Sequence, residues 1–275
     1  MSENVRQQLQ INATLPKDTK KRTRKRRGTK VVSSELEKPP VTDFEEEFVE
    51  DHQEIIFEPN VGPQTAFLAA TEQEVLYGGA AGGGKSYAMV ADPVRYFGNP
   101  NARMLLVRRS TEELRELISV SKMLYPKAIP GIKFMERDKT WVAPSGATLW
   151  MSYLDRDDDV MRYQGQAFNW IGFDELTQWP TPYPWNYMRS RLRSTKDSNL
   201  PLYMRATSNP GGPGHQWVKK TFIDPSEHNT PYWATDIDSG EVIKWPKGHS
   251  REGEPLFKRK FIPATLFDNP YLSDD

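Results

Sequence analysis

The residues best suited to chemistry form a glycine-rich loop within the segment LYGGAAGGGKSYAMV at positions 76–90. Gly79, Gly84, Lys85 and Ser86 satisfy the spacing G-x-x-x-x-G-K-[ST], between an apolar stretch and a helical one. Backbone N–H groups can surround phosphate oxygens in such a loop because glycine has no Cβ. The motif predicts a nucleoside triphosphate site, with Lys85 at the β- and γ-phosphates and Ser86 as a ligand of Mg²⁺. The predicted phosphate-binding residues are Gly79, Gly82, Gly83, Gly84, Lys85 and Ser86.

Two acids, Asp174 and Glu175, directly follow the apolar stretch FNWIGF at 168–173. Hydrolysis of a nucleoside triphosphate needs one carboxylate to position Mg²⁺, and many enzymes use a second to orient the attacking water. Neighbouring side chains at a strand end point in different directions, so the two acids can divide these tasks. We predict Asp174 as a metal ligand together with Ser86, and Glu175 as the catalytic residue. An apolar strand ending in Asp-Glu is common by itself, so the assignment depends on the glycine loop upstream.

The segments that must position these residues alternate between strand and helix patterns. Four apolar stretches are typical of strands, namely EVLYGG (74–79), ARMLLVRR (102–109), FNWIGF (168–173) and LYMRATSN (202–209). Two helical stretches lie among them, KSYAMVADPVRYF (85–97) and STEELRELISVSKML (110–124), the second with a capping box of Ser110 and Glu113. This alternation predicts an α/β fold, an open and mostly parallel central sheet flanked by helices, with ligands at the carboxyl ends of the strands.

Composition excludes several other kinds of site. The chain has 275 residues, a formal net charge of zero and no cysteine, so it has neither disulfides nor thiolate metal ligands. Its four histidines, at 52, 215, 228 and 249, lack the spacing of metal ligands, which argues against a zinc enzyme. No apolar run approaches the ~18 residues of a membrane span, and we expect no membrane partner.

The neutral net charge conceals two blocks of opposite sign near the N-terminus. Nine basic residues and one acid lie between Lys17 and Lys30, and ten acids with one lysine lie between Glu35 and Glu58. Such blocks, poor in apolar residues, predict a charged, disordered tail over residues 1–54. The basic block either contacts nucleic acid through phosphate charge or is a solvated tail that folds back on the acidic block, and both interpretations stay open.

Several segments together resemble the ATPase domain of the large terminase subunit of tailed bacteriophages, the motor that packages viral DNA. They are FEPNVGPQTAFLA, GGAAGGGKS, MLLVRRS, RYQGQAFNWIGFDELTQW and RATSNPGG, within about residues 55–225. The segments around the acid pair and RATSNPGG are considerably more specific than the glycine loop. The resemblance implies a P-loop nucleoside triphosphatase of the additional-strand, catalytic-glutamate (ASCE) type, in which LYMRATSN lies between the strand before the glycine loop and the strand before the acid pair.

The resemblance also implies roles for four polar residues. Thr207, Ser208 and Asn209 match the family's coupling motif, in which a polar side chain senses the γ-phosphate and links hydrolysis to movement. Gln64 matches the glutamine that reads adenine, so ATP is the expected nucleotide, and Phe57 is expected to stack nearby. Without the resemblance, SNPGGPG is a turn-prone sequence and Gln64 a surface residue that opens a helix.

A packaging motor works as a ring in which an arginine of one subunit stabilises the γ-phosphate of its neighbour. Arg162, shortly before the acid pair, lies where related terminases carry this residue, and we predict it as the arginine finger in trans. Arg108 and Arg109 are the competing candidates. A further group is expected to contact DNA or another subunit, namely Arg189, Arg191 and Arg193.

The function implied by the resemblance is an ATP hydrolase that uses Mg²⁺ and translocates double-stranded DNA through the portal into a procapsid. The implied partners are double-stranded viral DNA, the portal protein, the small terminase subunit and a homo-oligomeric ring of five copies when docked. The implied location is the cytoplasm of the infected bacterial host and, transiently, the procapsid, and not the mature virion. The alternatives are another ASCE ATPase, such as a helicase-like DNA translocase, and a nucleotide-dependent DNA-binding assembly protein.

The expected domain organisation has three parts: the tail at 1–54, the ATPase domain at 55–265, and a linker at 266–275. In the family this linker leads to a C-terminal nuclease domain. The acidic stretch DRDDD at 155–159 is interpreted as a solvated loop, not a metal site. We therefore expect no nuclease activity from this chain alone.

Overall fold

A computed structural model describes residues 55–80, 82–194 and 198–268. The predicted tail at 1–54 and most of the predicted linker lie outside these ranges, so the fold concerns the middle and C-terminal parts of the chain. The strands are β1 (Glu74–Gly79), β2 (Arg103–Arg108), β3 (Lys133–Met135), β4 (Thr140–Val142), β5 (Thr148–Tyr153), β6 (Trp170–Phe173), β7 (Tyr203–Ser208), β8 (Tyr232–Trp233) and β9 (Lys258–Ala264).

The helices that connect these strands are mostly short. The α-helices are α1 (Pro63–Leu68), α2 (Lys85–Ala91), α3 (Thr111–Ala128), α4 (Tyr183–Arg189) and α5 (His215–Val218). Short 3-10 or π-helical segments cover Asp92–Tyr96, Asp157–Tyr163, Leu176–Gln178, Lys219–Ile223 and Leu266–Asp268. Within the described ranges, no helix has both the length and the apolar character needed to cross a bilayer.

The nine strands form one sheet in the order β3-β4-β5-β2-β6-β7-β1-β9-β8. The six strands from β5 to β9 in this order are mutually parallel, whereas β3 and β4 at one edge and β8 at the other pair antiparallel. Strand β7 lies between β6 and β1, which confirms the inserted strand expected of the additional-strand type. Parallel strands open their carboxyl ends at one edge of a sheet, so the glycine loop after β1 and the acids after β6 meet there.

Both faces of the sheet are buried. Successive side chains of each strand point in opposite directions, and those on both faces are mostly apolar. In β1, Val75 and Tyr77 join one apolar cluster, while Leu76 joins the other. In β2, Leu106 and Leu105 divide in the same way. The strands therefore read as nearly continuous apolar runs, as the sequence patterns predicted.

One of the two predicted helices forms as expected, and the other is shorter than predicted. Helix α3 begins with the predicted capping box, in which Ser110 accepts from the Glu113 N–H and Glu113 accepts from the Ser110 N–H. The segment 85–97 is helical, but α2 ends at Ala91 and continues as a 3-10 turn. Pro93 explains the change, because proline has no N–H for the i−4 carbonyl and its ring clashes there.

A buried ion cluster joins the first residue of β1 to two distant arginines. Glu74 is 1% exposed and contacts Arg189 Nε at 2.6 Å and Arg259 Nε at 2.5 Å. Burial opposes ionisation of Glu74, but the two arginine charges outweigh it and lower its pKa. The expectation that Arg189 contacts DNA or another subunit is wrong, because its guanidinium is committed to Glu74 inside the fold.

Substitution Glu74→Gln is expected to lower the free energy of unfolding by about 3–5 kcal/mol, because it leaves two buried guanidinium groups without a counter-ion. The stabilisation exists above the unfolded-state pKa of Glu74 and is lost as the pH falls through its lowered folded-state value. Urea denaturation at several pH values measures both effects. Glu136→Gln, which removes the exposed pair of Glu136 with Lys122, is the control and should change stability by less than about 1 kcal/mol. Equal effects from both substitutions would contradict the prediction.

Candidate active site

The glycine loop has a backbone shape that requires glycine. Gly79, Gly82 and Gly84 have φ values of 137°, 83° and 70°, a region that residues with a Cβ rarely adopt. A Cβ on Gly84 would lie 2.8 Å from Gln64 Nε2. Glycine is therefore needed both for the curvature of the loop and for the close approach of its neighbours.

Two buried side chains donate hydrogen bonds to carbonyl groups of the loop. Tyr77 Oη donates to the Gly83 carbonyl at 2.8 Å, and Gln64 Nε2 donates to the Gly84 carbonyl at 3.0 Å. Burial raises the pKa of Tyr77 further above its ordinary value, and the nearby charge of Asp268 acts in the same direction. Both effects favour the protonated hydroxyl, the form that donates to the Gly83 carbonyl.

The end of β9 contacts the loop through a hydrogen bond between main-chain groups. The Ala80 N–H donates to the Ala264 carbonyl at 3.1 Å. A Cβ on Gly79 would overlap that same carbonyl. Strand β9 thus contacts the loop backbone to backbone, and glycine at position 79 is what permits the approach.

Removing the Tyr77 hydroxyl with Tyr77→Phe is expected to weaken ATP affinity about fivefold to tenfold, because Gly83 loses the bond that fixes the loop. The expected signature is a higher KM for ATP with little change in kcat. Tyr125→Phe is a matched control, since Tyr125 Oη donates to the Val90 carbonyl at 2.8 Å and is also buried. Both variants should lose about 1 kcal/mol of stability, but only Tyr77→Phe should alter the KM. A KM raised equally in both would contradict a positioning role.

Lys85 begins α2 with its ammonium directed back toward the loop. Its Nζ lies 3.3 Å from the Gly79 carbonyl and also contacts the Ala80 carbonyl. Burial lowers the pKa of Lys85, while the charges of Glu175 and Asp174 act in the opposite direction. The ammonium is therefore held at the loop carbonyls and lies close enough to both acids to feel their charge.

Asp174 is fully buried and is contacted by a cation and two hydroxyls. Arg108 Nη1 donates to its Oδ2, and Thr207 Oγ1 donates to its Oδ1 at 2.5 Å. Ser86 Oγ lies 3.3 Å from both carboxylate oxygens. The predicted metal residues Ser86 and Asp174, distant in sequence, are thus brought side by side.

This pair of oxygen donors fits Mg²⁺. A hydroxyl and a carboxylate are the hard ligands that the ion prefers, and in nucleotide sites it completes its coordination with phosphate oxygens and water. Among residues 55–80, 82–194 and 198–268, no group of three or more His, Cys, Asp or Glu side chains is arranged to hold a metal ion.

Glu175 is held in a defined orientation by residues of β7 and its tip. Its backbone is left-handed, with a φ of 58°, and its N–H donates to Thr207 Oγ1 at 3.0 Å. Asn209 donates to both carboxylate oxygens, from Nδ2 at 2.8 Å and from its backbone N–H at 3.1 Å. Burial, and secondly the charge of Asp174, raise the pKa of Glu175. Burial and the charge of Asp174 thus both favour the protonated form of Glu175.

The tip of β7 therefore joins the acids rather than forming an isolated turn. Ser208 Oγ bonds Thr177 Oγ1 at 3.2 Å and the Asn209 carbonyl at 2.9 Å, so Ser208 stabilises the tip without reaching Glu175. Thr207 bridges the two acids, donating to one and accepting from the other. The family resemblance named Thr207 as part of the coupling motif, but its two hydrogen bonds to the acid pair were not predicted from the sequence.

Gln64 lies against the glycine loop with its amide occupied at both ends. Its Oε1 accepts from the Asn60 N–H at 2.6 Å, and its Nε2 donates to the Gly84 carbonyl. Phe57 packs on Tyr87 with ring centroids 5.1 Å apart. The adenine-reading role of Gln64 stays a prediction, and it requires exchange of these backbone contacts for the base.

The candidate arginines are in different environments. Arg162 is exposed, with Nη2 at 2.9 Å from the Tyr153 carbonyl and 3.2 Å from Asp159 Oδ1. Arg108 is buried against Asp174, and Arg109 Nη1 is 3.5 Å from the Leu154 carbonyl. Arg162 is thus accessible to another subunit, and its role in trans stays a prediction.

The sheet order and the placement of the glycine loop define a P-loop nucleoside triphosphatase fold of the additional-strand type. The family model that matches is that of terminase large subunits, T4-like-virus type, N-terminal, over residues 76–242. Because this match covers more than half of the chain, the chain belongs to the terminase large subunit family. No curated protein sequence matches it.

Several solved structures resemble this chain at low sequence identity. The large terminase of a thermophilic bacteriophage, in complex with ADP, is 15% identical with a TM-score of 0.50, and the match covers 79% of this chain and 48% of that one. The large terminase ATPase domain of Thermus phage P74-26 is 11% identical with a TM-score of 0.48, covering 77% and 83%. The N-terminal domain of the DNA packaging ATPase of bacteriophage phi29 is 18% identical with a TM-score of 0.40, covering 51% and 75%. The chain thus spans about half the length of the ADP-bound large terminase.

Proposed function

We propose that this chain is the ATPase motor domain of a phage large terminase subunit, which hydrolyses ATP to translocate double-stranded DNA through a portal into a procapsid. The observation that carries the proposal is the meeting of Lys85, Asp174 and Glu175 beside a glycine loop at one edge of the sheet. Membership of the terminase large subunit family supports it. The ADP bound to the large terminase of the thermophilic bacteriophage, which shares the fold, supports the choice of nucleotide.

In the proposed reaction, each described residue has one task. The loop amides and Lys85 bind the phosphate chain, and Ser86 and Asp174 hold Mg²⁺, which supplies charge neutralisation when bound. Glu175 orients the attacking water and accepts its proton, and burial suits it to this because a raised pKa makes the carboxylate a stronger base. Thr207 fixes the position of both acidic residues, because its hydroxyl donates to the Asp174 carboxylate and accepts from the Glu175 N–H. Asn209 fixes the carboxylate of Glu175 through both oxygens.

Translocation defines the proposed partners. The motor has to grip DNA of any sequence, so its contacts are expected to be with the phosphate backbone. The portal protein, the small terminase subunit and a ring of five copies complete the proposed assembly, in the cytoplasm of the host and transiently on the procapsid. Hydrolysis requires the nucleotide site and an arginine finger from a neighbouring subunit, and the movement of DNA requires the assembled ring.

The test is phosphate release from ATP by the full chain mixed with portal protein, with and without duplex DNA, together with displacement of a third strand from a DNA triplex. ATP turnover that duplexes of unrelated sequence stimulate equally, with triplex displacement, supports the proposal. Unwinding of a partial duplex would favour the helicase-like alternative instead. Nucleotide and DNA binding without turnover would favour the assembly protein, and no nucleotide binding would overturn the whole assignment.

The arginine finger gives a prediction about protein concentration. If Arg162 completes a neighbour's site, ATP turnover per subunit should rise severalfold with protein concentration, and Arg162→Ala should remove the rise. The side chain has to leave only exposed contacts with Tyr153 and Asp159, which are weak. Arg137→Ala, at an exposed turn, is the control and should keep the concentration dependence. A rate per subunit that is flat for the parent chain would count against Arg162 acting across an interface.

A further inference from the structure

Arg108 neutralises the buried carboxylate to which the proposed function assigns the metal. It closes β2, which pairs with β6 directly before Asp174, so the two side chains meet at the carboxyl ends of neighbouring strands. Its Nη1 donates to Asp174 Oδ2, and in the described part of the chain no other cation is ion-paired with this acid. The carboxylate side chain is 0% exposed and the arginine 11%. A buried carboxylate needs a cation, and in this conformation Arg108 supplies it.

The same carboxylate cannot keep this partner and bind a divalent cation equally well. Ser86 Oγ is 3.3 Å from the oxygen that Arg108 contacts, so the guanidinium lies beside the two proposed metal ligands. Two cations held at one carboxylate repel each other strongly where water is excluded. Binding of the ion therefore favours departure of the arginine.

A second carboxylate lies on the other side of Arg108. Glu113 Oε2 is 3.6 Å from Arg108 Nε, and this Nε is a buried donor without a hydrogen-bond acceptor. Glu113 belongs to the first turn of α3, with its side chain 37% exposed, and it also caps the Ser110 N–H at 3.3 Å. The guanidinium thus lies between a buried acid, which it contacts directly, and a surface acid 3.6 Å from its Nε.

We propose that Arg108 is an exchangeable counter-ion, which neutralises Asp174 in the nucleotide-free protein and moves to Glu113 when a divalent cation binds. This rests on the proposed assignment of Asp174 as a metal ligand. Arg108 is therefore a positioning residue that makes metal binding competitive, so that free Mg²⁺ does not fill the site until a nucleotide adds its own phosphate oxygens. Glu113 accepts the displaced guanidinium, in addition to capping the N-terminus of α3.

The experiment measures binding of Mn²⁺ to the nucleotide-free chain by electron paramagnetic resonance, with Mn²⁺ as a spectroscopic substitute for Mg²⁺. Arg108→Gln is expected to bind Mn²⁺ about tenfold more tightly than the parent chain, since the competing charge is gone. Arg109→Gln, one residue further along, is the matched control and should leave the affinity unchanged. Glu113→Gln should weaken Mn²⁺ binding, because glutamine preserves the capping interaction but no longer receives the guanidinium.

Two further variants keep the outcome interpretable. Arg108→Lys retains a charge at the site and should bind Mn²⁺ close to the parent affinity, which separates loss of charge from loss of folding. Arg108→Gln combined with Asp174→Asn should lose the gain. An unchanged affinity in folded Arg108→Gln, checked by thermal melting, overturns the exchange. If Asp174→Asn alone leaves the Mn²⁺ dependence of ATP binding intact, the proposed metal site itself is wrong, which is a distinguishable result.

Discussion

Glu175→Gln is expected to bind ATP with the affinity of the parent chain and to hydrolyse it about 10²- to 10⁴-fold more slowly. Glutamine has nearly the same shape as glutamate and can keep one of the two bonds from Asn209, so the site stays assembled. It cannot accept a proton from water. Binding of a fluorescent ATP analogue and phosphate release under saturating ATP measure the two effects separately.

The pH dependence supplies an internal check on this substitution. Glu175 has to be ionised to act as a base, and burial followed by the charge of Asp174 raises its pKa above 4.5. The turnover rate of the parent chain should therefore fall as the pH decreases through this raised value, and the residual rate of Glu175→Gln should lack that acidic limb. Glu72→Gln, which alters an acid just before β1 at the opposite edge of the sheet, should keep parental turnover and pH dependence. Persistent turnover in Glu175→Gln would remove Glu175 from the mechanism.

Lys85→Ala is expected to reduce kcat/KM for ATP about 100-fold or more, because it removes a positive charge that acts where water is largely excluded. The lysine is 5% exposed, and its ammonium contacts the loop carbonyls of Gly79 and Ala80. Steady-state phosphate release over a range of ATP concentrations measures the change. Lys122→Ala, which removes an exposed lysine, should leave kcat/KM unchanged. A parental kcat/KM in Lys85→Ala would show that the loop does not hold the phosphates.

The sequence predicts local features of this protein well because their causes are local. The glycine spacing predicts the left-handed loop residues, and the Ser110–Glu113 spacing predicts a capping box that the structure contains. Apolar runs of strand length predict strands buried on both faces. The order of the strands is a less local property. Its prediction came from the family resemblance, which placed β7 between β6 and β1, and the sheet confirms it.

The partners of the arginines could not be predicted, because they depend on residues far away in the chain. Arg189 looks like a surface residue in sequence, yet it pairs with Glu74, 115 positions earlier. Arg108 pairs with an acid 66 positions later. A charged side chain carries no periodic signal that distinguishes a buried partner from solvent. The register of β2 and β6 brings Arg108 to Asp174, whereas Arg189 reaches Glu74 from the end of α4.

The contact between Ala80 and Ala264 has a mechanical consequence. A side-chain contact can absorb small displacements by rotating about its χ angles, but a bond between two main-chain groups has no such slack. Any shift of the loop that exceeds the tolerance of one hydrogen bond has to drag the last strand along or break from it. The chain that leaves the sheet after Ala264 is thus connected, through one hydrogen bond between main-chain groups, to the loop that would bind the phosphates.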